Sequence, residues 1–345
     1  MATLLTNLPD YGFPHEYNSI RLSGTGLQKV ELKSNGATIW TFNLYPGADG
    51  VLELNDFAAL LRDLTSDFEP RDFTLSWSGG QKAFFVLPCA IDLTTTAAEF
   101  CQRHFLSLCR GLRTTWDSAV EYVTMYTDKM PGDRDTFEMT LVWVNHHTGE
   151  TESVTLMEED LSVEELSPGM YRLAFCPRDF IPPAPDLFLL SIVVSAGKRV
   201  QRFIRRPTMV QPASVVFRGA MGQFEAFHFF GSRLMELKPT RSTASFAGRT
   251  RNYQVKAVPE FTLTTGVLRP TETPLFEDLC ASTLCYLGTL GGPELTITEN
   301  DLKITGDQYE AETATCTFRH AGRTRLYAPT EPAQTFDDTF DNSFR

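Results

Sequence analysis

One turn sequence is used twice in the last third of this chain: Ala247-Gly248-Arg249-Thr250-Arg251-Asn252-Tyr253 recurs as Ala321-Gly322-Arg323-Thr324-Arg325-Leu326-Tyr327. Around both copies the sequence alternates. Tyr253, Val255 and Ala257 share one face opposite Asn252, Gln254 and Lys256, and Ala314, Cys316 and Phe318 oppose Thr315, Thr317 and Arg319. A period of two is that of a half-buried strand. Each glycine can take the positive φ that a tight connection needs. Arg249, Arg251, Arg323 and Arg325 then keep the turns soluble or present them to a partner subunit. This pattern commits the region to antiparallel β scaffold.

The same reading extends to the rest of the chain. Residues 1–90 alternate between β-like runs (Ile20 to Leu22, Val30 to Leu32, Ile39 to Leu44, Val51 to Leu54, Phe73 to Trp77, Ala83 to Leu87) and turn formers such as Asn35-Gly36. One short helix is expected there, capped by Asn55, with Phe57, Leu60, Leu61 and Leu64 on one face. Residues 91–206 are expected to hold a connector, in which a helix capped at Thr94 to Thr96 competes with a strand over Phe105 to Leu108. An immunoglobulin-like sandwich then follows from six evenly spaced runs between Val120 and Ile204. After an interdomain link at Pro207 to Pro212, residues 213–328 form a third β domain. Its one helix starts at Thr273-Pro274, with Glu277 and Asp278 in the first turn and Leu275, Leu279 and Leu284 toward the sheet. Residues 329–345 are a tail or docking arm. The expected fold is therefore mainly β, a multidomain set of antiparallel sandwiches with two short helices.

No apolar run reaches the ~20 residues that span a bilayer, and the start carries neither the basic nor the apolar region of a secretory signal. The expectation is a protein made in a cytoplasm, with no membrane span. Seven cysteines are too sparse for a disulfide framework and are read as reduced, buried thiols. A net charge of -12 argues against non-specific nucleic-acid binding, but the charge is unevenly placed. Asp135 to Tyr171 holds nine acidic residues and no lysine or arginine, while Lys198 to Lys256 holds twelve basic residues against Glu225 and Glu236. Either these are two solvated faces, or the acidic middle of one molecule meets the basic flank of the next.

The order Val215-Val216-Phe217-Arg218, Gly231, Arg249-Thr250-Arg251-Asn252-Tyr253-Gln254-Val255, Thr264-Thr265-Gly266-Val267-Leu268, Leu295-Thr296-Ile297-Thr298 and Thr317-Phe318-Arg319 resembles structural proteins of Bacteroidales phages and prophages. Those proteins are uncharacterised and sit among tail genes. The resemblance covers roughly residues 80–328, and it implies a virion protein of the tail or baseplate. Its implied partners are copies of itself and other virion proteins, its implied location is the particle, and it carries over no functional residue.

Motifs for catalysis are sparse. There is no nucleophile elbow, phosphate loop or dinucleotide fingerprint. Cys101-x2-His104-x4-Cys109 lacks a fourth ligand, and His146-His147 reads as a solvated hairpin tip. Cys280 and Cys285 stand five apart on the expected helix, a poor spacing for one face. Glu121, Glu158, Glu159 and Asp160 are available as paired acids for glycoside hydrolysis, a chemistry that needs two opposed carboxylates. Trp40, Trp77, Trp116 and Trp143 could stack on a sugar, although the strand positions of Trp40, Trp77 and Trp143 favour core packing. No catalytic residue, cofactor or metal is therefore assigned. The tail repeats phenylalanine every fourth residue, at Phe336, Phe340 and Phe344. These residues, with the four turn arginines, are the candidate subunit contacts of an assembling protein. The competing readings are a carbohydrate-binding or host-recognition module at the tail tip and, behind it, a glycan-degrading tail enzyme.

Overall fold

The computed structural model describes residues 2–67, 69–128, 133–207, 212–246, 249–303 and 313–322. The first unit contains β1 (Thr3–Leu4), β2 (Tyr11–Gly12), β3 (Ile20–Ser23), β4 (Gln28–Ser34), β5 (Ala37–Leu44), β6 (Val51–Leu54), α1 (Phe57–Leu64), β7 (Arg71–Trp77) and β8 (Gly80–Val86). Two sheets, β1-β3-β6 and β2-β8-β7-β4-β5, bury the alternate residues of their strands against each other. Ile20, Leu22, Val30, Leu32, Phe73 and Leu75 meet there, and α1 adds Phe57 and Leu61. The β4–β5 turn is Asn35-Gly36, with φ of 49° and 77°, the left-handed pair that a two-residue hairpin demands.

The connector resolves into a helix, α2 (Ala97–Arg103), whose first turn is closed by the Glu99 N–H donating to Thr96 Oγ1 at 3.2 Å. The Glu16 carboxylate also accepts from the Ala97 N–H at 2.7 Å, which ties the first unit to this helix N-terminus. Phe105 to Leu108 is not a strand; Phe105 is buried in the next core and Leu106 donates to the Thr124 carbonyl.

The second unit contains β9 (Leu112–Thr115), β10 (Glu121–Tyr126), β11 (Glu138–Asn145), β12 (Thr151–Met157), β13 (Val163–Ser167), β14 (Met170–Phe175), β15 (Leu187–Ala196) and β16 (Arg199–Arg205). Its sheets are β10-β14-β13 and β12-β11-β15-β16-β9, with β9 parallel to β16. In immunoglobulin lettering these are B-E-D facing C′-C-F-G-A′, so the expected sandwich is present. Trp143 on the C strand is 3% exposed, in the core, as that architecture prefers. The first unit repeats the order, A-B-E facing C′-C-F-G-A′, with β2 parallel to β8. Two tandem sandwiches of one topology thus precede the last unit.

That unit contains β17 (Ala213–Arg218), β18 (Phe224–Phe229), β19 (Arg233–Phe246), β20 (Arg249–Thr264), α3 (Thr273–Ala281), β21 (Cys285–Leu287), β22 (Glu294–Lys303) and β23 (Thr313–His320). They make one antiparallel sheet in the order β18-β17-β21-β22-β23-β20-β19. The sheet curls, bringing Phe229 of one edge strand within 5.9 Å of the Phe318 ring four strands away. Leu275, Phe276 and Leu279 of α3 fill the inside of the curl.

Local details differ from the sequence expectations. There are three α-helices among the described residues rather than two. The α1 cap is Asp56, at φ 59° and without a side-chain cap bond, while Asn55 Oδ1 accepts from Ser19. Glu277 and Asp278 fall in the second turn of α3, as the fifth and sixth residues of a helix that begins at Thr273 as expected. Leu284 and Cys285 lie beyond that helix, and the run 295–298 joins Leu302 and Lys303 in one strand through an irregularity at Ile297/Glu299, residues 304 and 305 lying outside the described residues.

Phe318, with no exposed surface and ring contacts to Phe229 and Phe261, makes the sharpest test of this core. Phe318→Ala is expected to cost about 3–5 kcal/mol, whereas Trp40→Ala, at a half-exposed position, should change stability by less than about 0.5 kcal/mol. Urea denaturation of the two variants checks this; equal effects would contradict the packing.

Candidate functional site

The junction between the second sandwich and the last sheet is built on β18. Alternation along this strand sends Phe227 and Phe229 into the core of the last unit, and Ala226 against Tyr122 and Val216 at the junction. Both faces are covered, so Glu225 and His228 are buried along with the apolar residues of the strand. Two polar connections are embedded here. Arg113 of β9 forms a salt bridge with Glu225, both 3% exposed, and Ser107 Oγ donates to the same carboxylate at 2.6 Å. Burial works against the Arg113 charge, but Glu225, Cys109 and Glu121 outweigh it and hold the guanidinium's pKa above its ordinary value. In the second connection, Trp116 Nε1–H donates to Ser214 Oγ (3.1 Å), whose hydroxyl faces His228 Nδ1 (2.8 Å). His228 Nε2 in turn meets Glu121 at 2.7 Å.

Ser214, His228 and Glu121 are the residue types of a nucleophilic triad, but their arrangement serves a different purpose. The serine faces Nδ1, already accepts from the indole, and is buried with its partners. This chain of donors fixes the register of one unit on the other. Asp278 of α3 lies beside the Arg113–Glu225 pair instead, accepting from the Ala220 N–H at 2.7 Å. Burial, and then the neighbouring Glu225 charge, push its carboxyl up to about 7.

A second feature projects from the fold. Strand β20 pairs with β23 only over Glu260–Thr264, whereas Arg249–Pro259 pair with β19 alone among the described residues. At about 3.3 Å per residue, that two-stranded ribbon is roughly 35 Å long. Phe246 stands opposite Arg249, so the sequence-derived hairpin is present, with Ala247 and Gly248 themselves outside the described residues. Its sequence, Leu237 to Phe246 and Arg249 to Pro259, carries Lys238, Arg241, Arg249, Arg251 and Lys256 and no acid. At its base, Leu234 and Met235 are exposed. A ribbon of two strands is at best marginally stable by itself in water.

The acidic stretch lies on the second sandwich, where β12 and β13 are free edges of the two sheets. It is not one uniform face, because Asp135 pairs with Arg199, Glu158 with Arg134, and Glu164 with Arg172. Glu138, Glu150, Glu152, Glu159, Asp160 and Glu165 remain exposed. Beside β13 runs an open groove of about 450 Å³ lined by Arg134, Glu158, Glu159, Val163, Glu165 and Tyr171, where Arg134 pairs with Glu158 and the other two glutamates leave a negative excess. The basic stretch is divided in the same way: Arg199 is buried and Arg205 binds Asp117, so its charge is concentrated on the ribbon.

Several sequence candidates separate in space. Arg249 and Arg251 lie on β20 at the ribbon end, while Arg323, Arg325, Phe336, Phe340 and Phe344 lie outside the described residues. Cys101 and Cys109 belong to different cores, which dissolves the Cys-x2-His-x4-Cys spacing. All seven thiols are free, and Cys280 hydrogen-bonds to Cys316 of β23. Of the tryptophans, Trp143 and Trp116 are buried; Trp40, on edge strand β5, is 50% exposed, contrary to its strand-core expectation. Trp40 escapes because β5 has a neighbour on one side only and its contact with the core is made by Phe42 and Leu44. Glu121 bonds to His228, and Glu158 pairs with Arg134. No signal in the sequence marked Ser107, Arg113, Ser214 or His228, whose partners are distant along the chain.

No family model matches this chain, and no curated protein does. Among solved structures it is similar to the extracellular region of plexin A4, domains 1 to 8, at 8% identity and a TM-score of 0.18, over 94% of this chain and 37% of that one. A second plexin A4 structure, domains 1 to 10, gives 8% identity and a TM-score of 0.19, over 94% and 31%. The chain spans about a third of the length of these structures, and a likeness at this level carries no functional argument. No helix among the described residues is long and apolar enough to cross a membrane.

The raised Asp278 carboxyl has a consequence for stability. In the folded state it holds its proton up to about pH 7, whereas unfolded it releases it near pH 4. The folded form therefore binds more protons between these values, and the Asp278 contribution to stability falls as pH rises from about 4 to 7. Asp278→Asn keeps an acceptor for Ala220 and removes the titration. The variant is expected to be more stable than the parent above pH 7, by a few kcal/mol, with the gain vanishing near pH 4. Thermal melts across pH check it.

Proposed function

We propose that this chain is a structural protein of a bacteriophage virion, a component of the tail or baseplate that works by assembling with copies of itself and other virion proteins. The observation that carries the reading is the basic β19–β20 ribbon, which among the described residues pairs only with itself over Arg249–Pro259, on a protein of net charge -12. Such a ribbon gains neighbours by lying on another subunit, and the groove beside β13, with its excess of carboxylates, has the complementary sign. Unlike surfaces that meet head to tail close into a ring when the rotation permits. The second sandwich, joined to the last sheet by buried polar connections, makes a rigid body on which such an arm can act. The resemblance of residues 80–328 to tail-associated phage proteins supports the same reading. A second reading, recognition of a host glycan at the tail tip, is favoured by exposed Trp40 and Tyr45 near one sheet edge, with Trp40 6.5 Å from Phe42.

The test is assembly. Light scattering across a salt series is expected to show a multimer at low salt that dissociates as the screening length falls from about 8 Å toward 3 Å. Arg249→Glu combined with Arg251→Glu should shift the wild-type protein toward monomer while leaving circular dichroism unchanged. A monomer under all conditions, both alone and with the other proteins of the particle, would refute the proposal.

A further inference from the structure

One end of the second sandwich carries a cluster that neither the assembly reading nor the buried junction uses. His146 and His147 sit in the β11–β12 turn, and Asp186 immediately precedes β15. One ligand atom from each of the three side chains, two imidazole nitrogens and a carboxylate oxygen, lies within 4.8 Å of the other two. All three residues are exposed, so entry is unobstructed.

The two loops are held in register. His146 N–H donates to the Asp186 carbonyl at 3.2 Å, and Asn145 pairs with Leu187 across the strands. Within the turn, Asn145 Oδ1 accepts from the backbone N–H groups of His147 (2.9 Å) and Thr148 (3.1 Å). Gly149, at φ 75°, closes it by donating to the Asn145 carbonyl at 2.8 Å. The backbone beneath both histidines is thus fixed by the sandwich, and only side-chain rotation remains.

The chemistry of the ring nitrogens is also set. His146 Nδ1 lies 2.9 Å from the Asp186 carbonyl oxygen, which can only accept, so Nδ1 carries the proton and Nε2 keeps its lone pair. Metal-binding histidines commonly donate their other N–H to a backbone carbonyl in this way. The two rings stand 3.7 Å apart at 43°, in contact yet not coplanar. In a tetrahedral site with ligand distances near 2.0–2.2 Å, donors are separated by about 3.4 Å. Drawing the three donors in from 4.8 Å takes a shift of about an ångström, available to exposed side chains on a fixed turn.

We propose that His146, His147 and Asp186 form a surface site for a divalent transition-metal ion, bound through two imidazoles and one carboxylate with the remaining position open to solvent. Two nitrogens and one oxygen suit Zn²⁺, and Ni²⁺ and Cu²⁺ by the same ligand preference. Ca²⁺ and Mg²⁺, which demand oxygen ligands, do not fit. The site needs no second subunit and is independent of the assembly proposal.

Zn²⁺ titrated into the chelator-treated full-length chain, followed by calorimetry, is expected to show one equivalent bound. His147→Ala and Asp186→Asn should each weaken binding about tenfold or more. Both are exposed positions, so unchanged circular dichroism is expected to accompany the loss. Co²⁺ in place of Zn²⁺ should give a visible spectrum without thiolate charge-transfer absorption, which separates this site from the seven cysteines. Absence of binding, binding unaffected by both variants, or a thiolate spectrum would each overturn the assignment.

Discussion

Burial of charge at the junction between the second sandwich and the last sheet is the constraint on which the rest of this molecule depends. Arg113 and Glu225 are removed from water together, so their mutual attraction has to offset the hydration that both lose. Ser107 bonds to the same Glu225 carboxylate, and Trp116, Ser214, His228 and Glu121 form a second line across the same boundary. Apolar contact between Tyr122, Val216 and Ala226 would tolerate sliding. Directional bonds do not, since a small displacement would leave buried donors and acceptors unpaired.

That rigidity extends toward the N-terminus. Phe13, Leu87 and Cys89 from the first unit, Phe100 and Cys101 from α2, Tyr126 and Met170 from the second sandwich and Met221 from the last unit share one cluster. The connector is thus a packed wedge rather than a loose tether, and Glu16 holds the end of its helix. Elements that would otherwise behave as separate sandwiches on flexible links act together. This fixes the distances between the base of the β19–β20 ribbon, the groove beside β13 and the histidine turn.

The ribbon and the buried junction illustrate opposite uses of basic residues. Arg113 and Arg199 are spent inside, on Glu225 and on Asp135, whereas the charges along 238–256 occur on a hairpin that pairs only with itself among the described residues. A tally of charge along the sequence merges the two. Their separation also thins the acidic stretch, where Arg134 and Arg172, just outside it in sequence, fold back onto Glu158 and Glu164.

Local patterns in the chain determined most of the elements. Alternation predicts the six runs of the middle sandwich, Asn35-Gly36 and the first Ala-Gly-Arg-Thr-Arg turn predict hairpins, and the spacing of Phe57, Leu60, Leu61 and Leu64 predicts α1. These signals are legible because they depend on neighbours two to four residues away. Tertiary structure alone decided the rest. Strand β18 loses its alternation because both faces are covered, and Trp40 is exposed because β5 is an edge. The shared topology of the two sandwiches leaves no sequence repeat, since the order of strands is set by hydrogen bonds between distant segments and many side chains satisfy one pleat. Arg113 and Glu225, His228 and Glu121, and His146 and Asp186 are pairs whose members lie from 40 to 112 residues apart. Nothing local specifies such pairs; the packing of one sheet on another, and of one loop beside its neighbour, brings them together.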